Sequence, residues 1–246
     1  MPKYAFSHPG KIGDALYTLP TIKYICERDG ATADFYTSNY CLPIKSLFEY
    51  QSYIDQVIVP ESYVISDMGC GIQPWNMPIP EGYDQVFQLG FKSTPPTALH
   101  TSIAQSVGIP DVPLPTYEYP DKTFLSEPYI VISARKGTTF DPLFSEFIER
   151  CPILTVQVGC PHEYLESKSV NLTHLDMLDT VALMAKSSGF LGLPFSNLVL
   201  ANGFPDIPKV AMYNYAWDMR HVIYRPNNIY LNIPPVDDVL RGLNLL

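Results

Sequence analysis

Four prolines, Pro110, Pro113, Pro115 and Pro120, fall within eleven residues, and an alternation of short apolar strands with helical patterns stops at them and restarts beyond them. Proline fixes φ and donates no backbone hydrogen bond, so this stretch reads as a semi-rigid linker. A chain interrupted there builds two cores. Each is expected to be an α/β unit, because strands alternating with helices pack as a parallel sheet covered on both faces. The expected units are residues 1–118 and 119–246, and a chain of 246 residues can supply two domains of that size. With 46% apolar, 13% aromatic and 17% charged residues, the composition feeds packed cores and argues against disorder or a coiled coil.

In the first unit Tyr4-Ala5-Phe6-Ser7 reads as a strand running into the loop His8-Pro9-Gly10-Lys11-Ile12-Gly13-Asp14. Ala15, Leu16, Leu19, Ile22 and Ile25 then recur at helical spacing. Strands at 33–37, 56–59 and 85–89 and helices at 44–50 and 98–107 follow. The second unit reads as a strand at 129–132, the loop Arg135-Lys136-Gly137, a helix at 142–150 and a strand at 153–158. A loop at 159–163, a helix at 178–185, a strand at 189–192, a helix opening near Ser196 and a strand at 209–213 complete it. The amphipathic stretch 236–246 is expected to pack back across the first unit.

Charge narrows the partners. Sixteen Lys and Arg against 25 Asp and Glu give −9, which opposes broad attraction to phosphate backbones or anionic lipid. Residues 1–120 hold 6 basic and 12 acidic groups and residues 121–246 hold 10 and 13, so an anion site is expected in the second half. Cys26, Cys41, Cys70, Cys151 and Cys160 are odd in number, scattered and never C-x-x-C, which argues against both a disulfide framework and a zinc cage. A reducing, cytoplasmic setting is expected, with no signal peptide and no integral membrane segment. The sequence lacks a Walker phosphate loop, G-x-G-x-x-G after a strand, G-x-S-x-G, H-E-x-x-H and D-x-D, so kinase, dehydrogenase, hydrolase and zincin readings lose their usual support. Without D-x-D the usual anchor for a divalent metal on a nucleotide diphosphate is missing, and no metal site is expected.

Two loop groups remain. Gly10 and Gly13 lie where a strand's carboxyl end meets a helix start, the usual ligand crevice of an open α/β sheet, and their small size lets a substrate approach the backbone. Asp14 stands at that helix start, where a partly enclosed carboxylate can act as a general base; the plainer reading is a helix N-cap. In the second half Arg135, Lys136 and Thr138 follow a strand, and Ser196 and Asn197 open a helix whose amides and dipole favour an anion. Glu163, four residues past Gly159, can accept hydrogen bonds from a ribose or nucleobase. The plainer readings are an exposed basic pair, a Ser cap and a solvated Glu. His8 and Lys11 beside the glycine loop, and Trp75 in the long loop Asp67–Pro78, are acceptor-side candidates; His8 otherwise reads as a polar surface residue and Trp75 as a loop anchor. Tyr213, Tyr215 and Trp217 follow the last strand, where stacking on a base competes with core packing.

The segment His8-Pro9-Gly10-Lys11-Ile12-Gly13-Asp14-Ala15-Leu16-Tyr17-Thr18-Leu19-Pro20 resembles the opening of the heptosyltransferase-like glycosyltransferases of family nine. Ala33-Asp34-Phe35-Tyr36-Thr37, Tyr83-Asp84-Gln85-Val86 and the helix Leu178–Ala185 are similar to later segments of that family. The resemblance implies a GT-B fold of two Rossmann-like domains facing across a cleft. It places the family's catalytic base on Asp14, its donor phosphate contacts on the loop after Ile132 and on Gly192–Asn197, and its nucleotide-holding glutamate on Glu163. Where the family has Asp-Ser/Thr-Gly followed by His, this chain has Pro194-Phe195-Ser196 and Val199, an altered donor-side loop.

The expectation is therefore a metal-independent, inverting glycosyltransferase with no cofactor beyond a nucleotide-diphosphate sugar as co-substrate. The first domain takes the acceptor and the second the donor, which is held by Gly13, Arg135, Lys136, Thr138, Gly159, Glu163, Ser196 and Asn197. The acceptor is a saccharide or another hydroxyl compound; a hydroxymethylated base in viral DNA is the alternative, against which the charge weighs. The rival class is a non-catalytic nucleotide-sugar or saccharide-binding protein on the same fold.

Overall fold

The structure, a computed structural model, describes residues 1–61, 77–90, 98–213, 228–232 and 234–246. It divides into two compact units, Met1–Tyr119 and Pro120–Leu246. The division has a local cause. The end of the linker is tied to the first unit, where the Glu118 backbone amide donates to Gln51 Oε1 (2.9 Å), Gln51 Nε2 donates to the Glu118 carbonyl (3.0 Å), and the Glu118 carboxylate accepts from Ser52. Immediately beyond it, Asp121 and Lys122 pair with Lys186 and Asp179 of the second unit.

The first unit carries β1 (Lys3–Ser7), β2 (Thr32–Tyr36), β3 (Ile54–Ile58) and β4 (Gln85–Gln88), all parallel, in the order β3-β2-β1-β4. β1 is central and buried beyond its first residue, as a short apolar run in a covered parallel sheet should be. Phe6 stacks on Phe87 at 4.8 Å, and Phe35 meets Phe48 at the same distance. The single helix expected after the glycine loop is two helices, α1 (Ile12–Leu16) and α2 (Leu19–Asp29). Pro20 has no N–H for the Leu16 carbonyl and Thr18 Oγ1 turns back to the Ala15 carbonyl at 2.6 Å, so the first helix ends there and Pro20 sits in the first turn of the second. Gly30 closes α2 at φ +60°, a conformation that suits glycine. The helix expected at 44–50 is the short α3 (Lys45–Phe48), which a 3-10 turn, Asn39–Ile44, precedes. After it α4 (Leu99–Ser106) completes the unit.

The second unit has a six-stranded parallel sheet of β5 (Tyr129–Ser133), β6 (Leu154–Gln157), β7 (Val170–Asn171), β8 (Gly189–Gly192), β9 (Lys209–Tyr213) and β10 (Asn228–Asn232), ordered β10-β9-β8-β5-β6-β7. Sequence pattern missed β7, which has two residues, and β10, a five-residue run of Asn-Ile-Tyr-Leu-Asn. Among the described residues the α-helices are α5 (Asp141–Arg150), α6 (Met177–Ala185), α7 (Ser196–Ala201) and α8 (Val236–Gly242). The last overturns an expectation. α8 packs in the second unit, not across the first: Val236, Val239, Leu240 and Leu243 join one core with Phe144, Phe147, Val210 and Met212. A Cβ on Gly242 would lie 2.8 Å from Val210 and 3.3 Å from Ile229, so the helix abuts β9 and β10 closely.

Candidate active site

In each unit the strand order reverses around one central strand. From β1 the chain moves to β2 and β3, then returns to place β4 on the other side of β1; β5 is flanked in the same way by β6 and β8. Ligands of open α/β sheets bind outside the carboxyl ends of the strands at such a reversal. The loops that leave these two strands are His8–Lys11 and Ala134–Phe140.

In the first, His8 is 1% exposed, which overturns the surface-residue reading. Its Nδ1 lies 2.9 Å from the Leu89 carbonyl, its backbone N–H reaches the Tyr36 carbonyl, and its carbonyl accepts from Thr37 Oγ1. The far ring nitrogen, Nε2, is buried with no hydrogen-bond partner among the described residues. Lys11 is the exposed N-cap residue of α1, Gly13 occupies the helix's second position and Asp14 its third. Asp14 is therefore not the cap. The Lys11 amide acts on its carboxylate and favours the charged form, as the cap amide can for the third residue of a helix. Burial pushes the Asp14 carboxyl above its ordinary range, against the opposing pull of His8, the Lys11 amide and the Lys11 charge. Burial likewise pushes the His8 imidazole down, while Asp14 and the Leu89 carbonyl draw it up. Cys41 Sγ donates to the Gly10 carbonyl at 2.9 Å and fixes the loop from below; burial raises this thiol to about 11.

In the second unit a pocket of about 440 Å³ is lined by Arg135, Lys136, Thr138, Phe140, Phe195 and Tyr213, among others. Arg135 lies over the Phe195 ring at 5.3 Å and 3.6 Å from Glu163, which is held near by a hydrogen bond from the Lys136 amide to the Glu163 carbonyl. Gly159, at φ +124°, would bring a Cβ within 3.6 Å of both Glu163 Oε2 and Asn197 Nδ2, and Asn197 Nδ2 donates to Ser133 Oγ at 2.9 Å. Arg135, Gly159, Glu163 and Asn197 thus meet at one edge of the sheet. Thr138 does something else: its amide and hydroxyl both donate to Asp141 Oδ1, and the Gly137 amide to Oδ2, so Thr138 shapes the loop. The helix α7 begins at Ser196 with Phe195 at the cap and no capping side chain, which removes the Ser-cap reading. Sequence reasoning missed Asp141, Ser133 and the Leu89 carbonyl. Asp141 had a signal, since Asp before Pro142 at a helix start is a familiar opening; the others are met only through pairing across the sheet. Trp75, Tyr215 and Trp217, and most of the Asp67–Pro78 loop, lie outside the described residues. Among the described residues no three His, Cys, Asp or Glu gather to hold a metal ion, and no helix is long and apolar enough to cross a membrane.

No protein-family model matches the sequence, and no curated protein does either. Solved structures do. The glycosyl transferase family 9 protein of Veillonella parvula matches 99% of this chain and 96% of its own at 11% identity, with a TM-score of 0.71. The E. coli ADP-heptose lps heptosyltransferase II matches 98% and 97% at 13% identity, with a TM-score of 0.67. The fold is that of the family 9 glycosyltransferases. The E. coli heptosyltransferase WaaC, solved with ADP-2-deoxy-2-fluoro heptose, shares this glycosyltransferase fold over 98% of this chain and 99% of its own, at 12% identity and a TM-score of 0.65. The GT-B-like α/β class implied by the opening segment is borne out, and at these identities the likeness is one of fold.

Proposed function

We propose that the chain is a glycosyltransferase that moves a sugar from a nucleotide-diphosphate donor to an acceptor hydroxyl with inversion and without a metal. In this reading the second unit takes the donor. Arg135 and Lys136 neutralise the diphosphate, the amides at the start of α7 add to them, and Glu163, Gly159 and Asn197 hold the nucleoside end. Gly13 belongs with the donor contacts and Lys11 with the acceptor side. Asp14 removes the proton of the acceptor hydroxyl as its oxygen attacks the anomeric carbon, and the diphosphate leaves from the opposite face with the bonding electrons.

The observation that carries the reading is the pairing of chemistry with topology: a carboxylate of raised proton affinity at one strand-order reversal and a basic pocket of about 440 Å³ at the other. Because two E. coli proteins of the same fold are heptosyltransferases, one of them solved with an ADP-heptose analogue, an ADP-linked sugar is the donor to try first. The acceptor we assign by chemistry alone, as a saccharide hydroxyl.

The test is a melting series with ADP-, UDP-, GDP- and dTDP-sugars, with and without chelator. A donor at 100 times its Kd adds ~2.7 kcal/mol of stability. Stabilisation that survives chelator and is lost in Arg135→Ala and Lys136→Ala is the expected result. No stabilisation by any donor sinks the proposal, and binding without transfer or hydrolysis moves the chain to the non-catalytic class.

A further inference from the structure

Arg135 rides on the loop after β5, yet its guanidinium is held by two neighbours. Its Nε lies 3.6 Å from Glu163 Oε1, in the turn after β6, and its guanidinium carbon lies 5.3 Å from the centre of the Phe195 ring, in the loop after β8. β5 stands between β6 and β8 in the sheet, so the two partners reach the guanidinium from the two flanking strands. They are not equivalent. The Arg135 and Glu163 side chains are 51% and 26% exposed, and an ion pair so open to water holds little. Phe195 is fixed by the fold. Its amide donates to the Leu193 carbonyl at 2.7 Å, its carbonyl accepts from the Leu198 amide at 3.0 Å, and its side chain packs against the core that contains Phe140, Leu193 and Met212. A planar guanidinium can rest on such an aromatic platform and still turn its N–H edge toward an anion. Arg135 and Phe195 line the same pocket of about 440 Å³.

We infer that Phe195 is a positioning residue for Arg135, its ring keeping the guanidinium in place for the donor's diphosphate once Glu163 has let it go. This rests on the second unit being the donor site. In the empty chain the guanidinium is shared between the carboxylate and the ring. When a donor binds, diphosphate oxygens replace Glu163 at the N–H edge and the carboxylate turns to the nucleoside. The ring still restricts the arginine, so less side-chain freedom is lost as the charge-assisted hydrogen bonds to phosphate form. The altered Pro194-Phe195-Ser196 loop thereby acquires a task in donor binding.

The experiment is a double-mutant cycle in the full chain, read by titration calorimetry with inorganic pyrophosphate and with ADP. Pyrophosphate carries the charge without a nucleoside, so its binding is independent of base preference. Phe195→Leu should weaken both ligands about two- to fivefold, the range of an exposed cation–π contact, and Phe195→Tyr should restore the affinity. In an Arg135→Ala background Phe195→Leu should cost nothing further, whereas in Glu163→Gln its cost should persist, because the ring acts without the carboxylate. If Phe195→Leu does not fold, Phe195→Met, which keeps apolar bulk without a ring, takes its place in the cycle. A loss that is the same with and without Arg135, or as large in Phe195→Tyr as in Phe195→Leu, overturns the inference in favour of a packing role. A native chain that binds neither pyrophosphate nor any nucleoside diphosphate overturns the donor site itself, and the task of Phe195 with it.

Discussion

Lys209 shows how far a residue's type can mislead about its place. It opens β9 in a run that reads as a strand, yet it is 2% exposed, its ammonium donating to the carbonyls of Phe204 (2.6 Å) and Ile207 (2.5 Å). The lysine closes the turn that brings α7 into β9. Burial holds its pKa down to about 8, against 10.5 in the open chain. Between those values the unfolded chain binds the extra proton, so this lysine contributes stability that grows as pH rises from about 8 to 10.5. Urea unfolding of the native chain and Lys209→Met at pH 7 and pH 9.5 should show the native chain gaining relative to the variant at the higher pH; a gap independent of pH would refute it. His8 teaches the same lesson. Its position beside the glycine loop was legible, but its burial was not, because the Leu89 carbonyl that fixes the ring is 81 residues away and belongs to no side chain.

At the scale of elements, what carries the donor-side loop is Asp141. One carboxylate receives the amides of Gly137 and Thr138 and the Thr138 hydroxyl, and so joins the end of β5 to the start of α5. Asp141→Ala should cost about 1–2 kcal/mol, as loss of a helix-start acceptor does, and lower the melting point by about 2–4 °C per kcal/mol. Because Arg135 and Lys136 ride on that loop, affinity for an ADP-sugar should fall as well, measured by titration calorimetry; a destabilised variant with unchanged affinity would separate the loop from the donor. Gly192 is the matching constraint on β8. A Cβ there would meet the Phe190 ring at 2.7 and 2.9 Å and Ser133 Cβ at 3.3 Å, and the ring is buried in the core. Gly192→Ala should destabilise by about 1–3 kcal/mol in thermal or urea unfolding, the cost of overpacking. Most strands and helices were legible because apolar runs and helical spacing are local signals. The break between α1 and α2 was signalled by Thr18 and Pro20, whereas β10 was overlooked although Ile229, Tyr230 and Leu231 at its centre suit a strand; the run is only five residues long, has Asn at both ends, and pairs with β9.

For the whole molecule, the proline-rich stretch was the legible feature, and the residues around it explain what it separates. Each side closes its own hydrogen bonds: Glu118 with Gln51 and Ser52 before it, Asp121 and Lys122 with Lys186 and Asp179 after it. The destination of α8 was not legible, because an amphipathic stripe states that a partner exists without stating which. In the structure Val236, Val239, Leu240 and Leu243 fill the core over α5, β9 and β10, so among the described residues α5 and α8 bury their apolar faces within the second unit itself. A chain of residues 120–246 should then fold by itself, with a cooperative urea transition and dispersed amide NMR signals. It also carries Arg135, Lys136, Glu163 and Asn197, so it should bind an ADP-sugar with a Kd within a few fold of the full chain's while transferring nothing, Asp14 being absent. Removing α8 from that fragment should expose the core over β9 and unfold it. A fragment that folds but has lost donor binding would show that the first unit contributes to the donor site, and one that does not fold would show that the two cores stabilise each other.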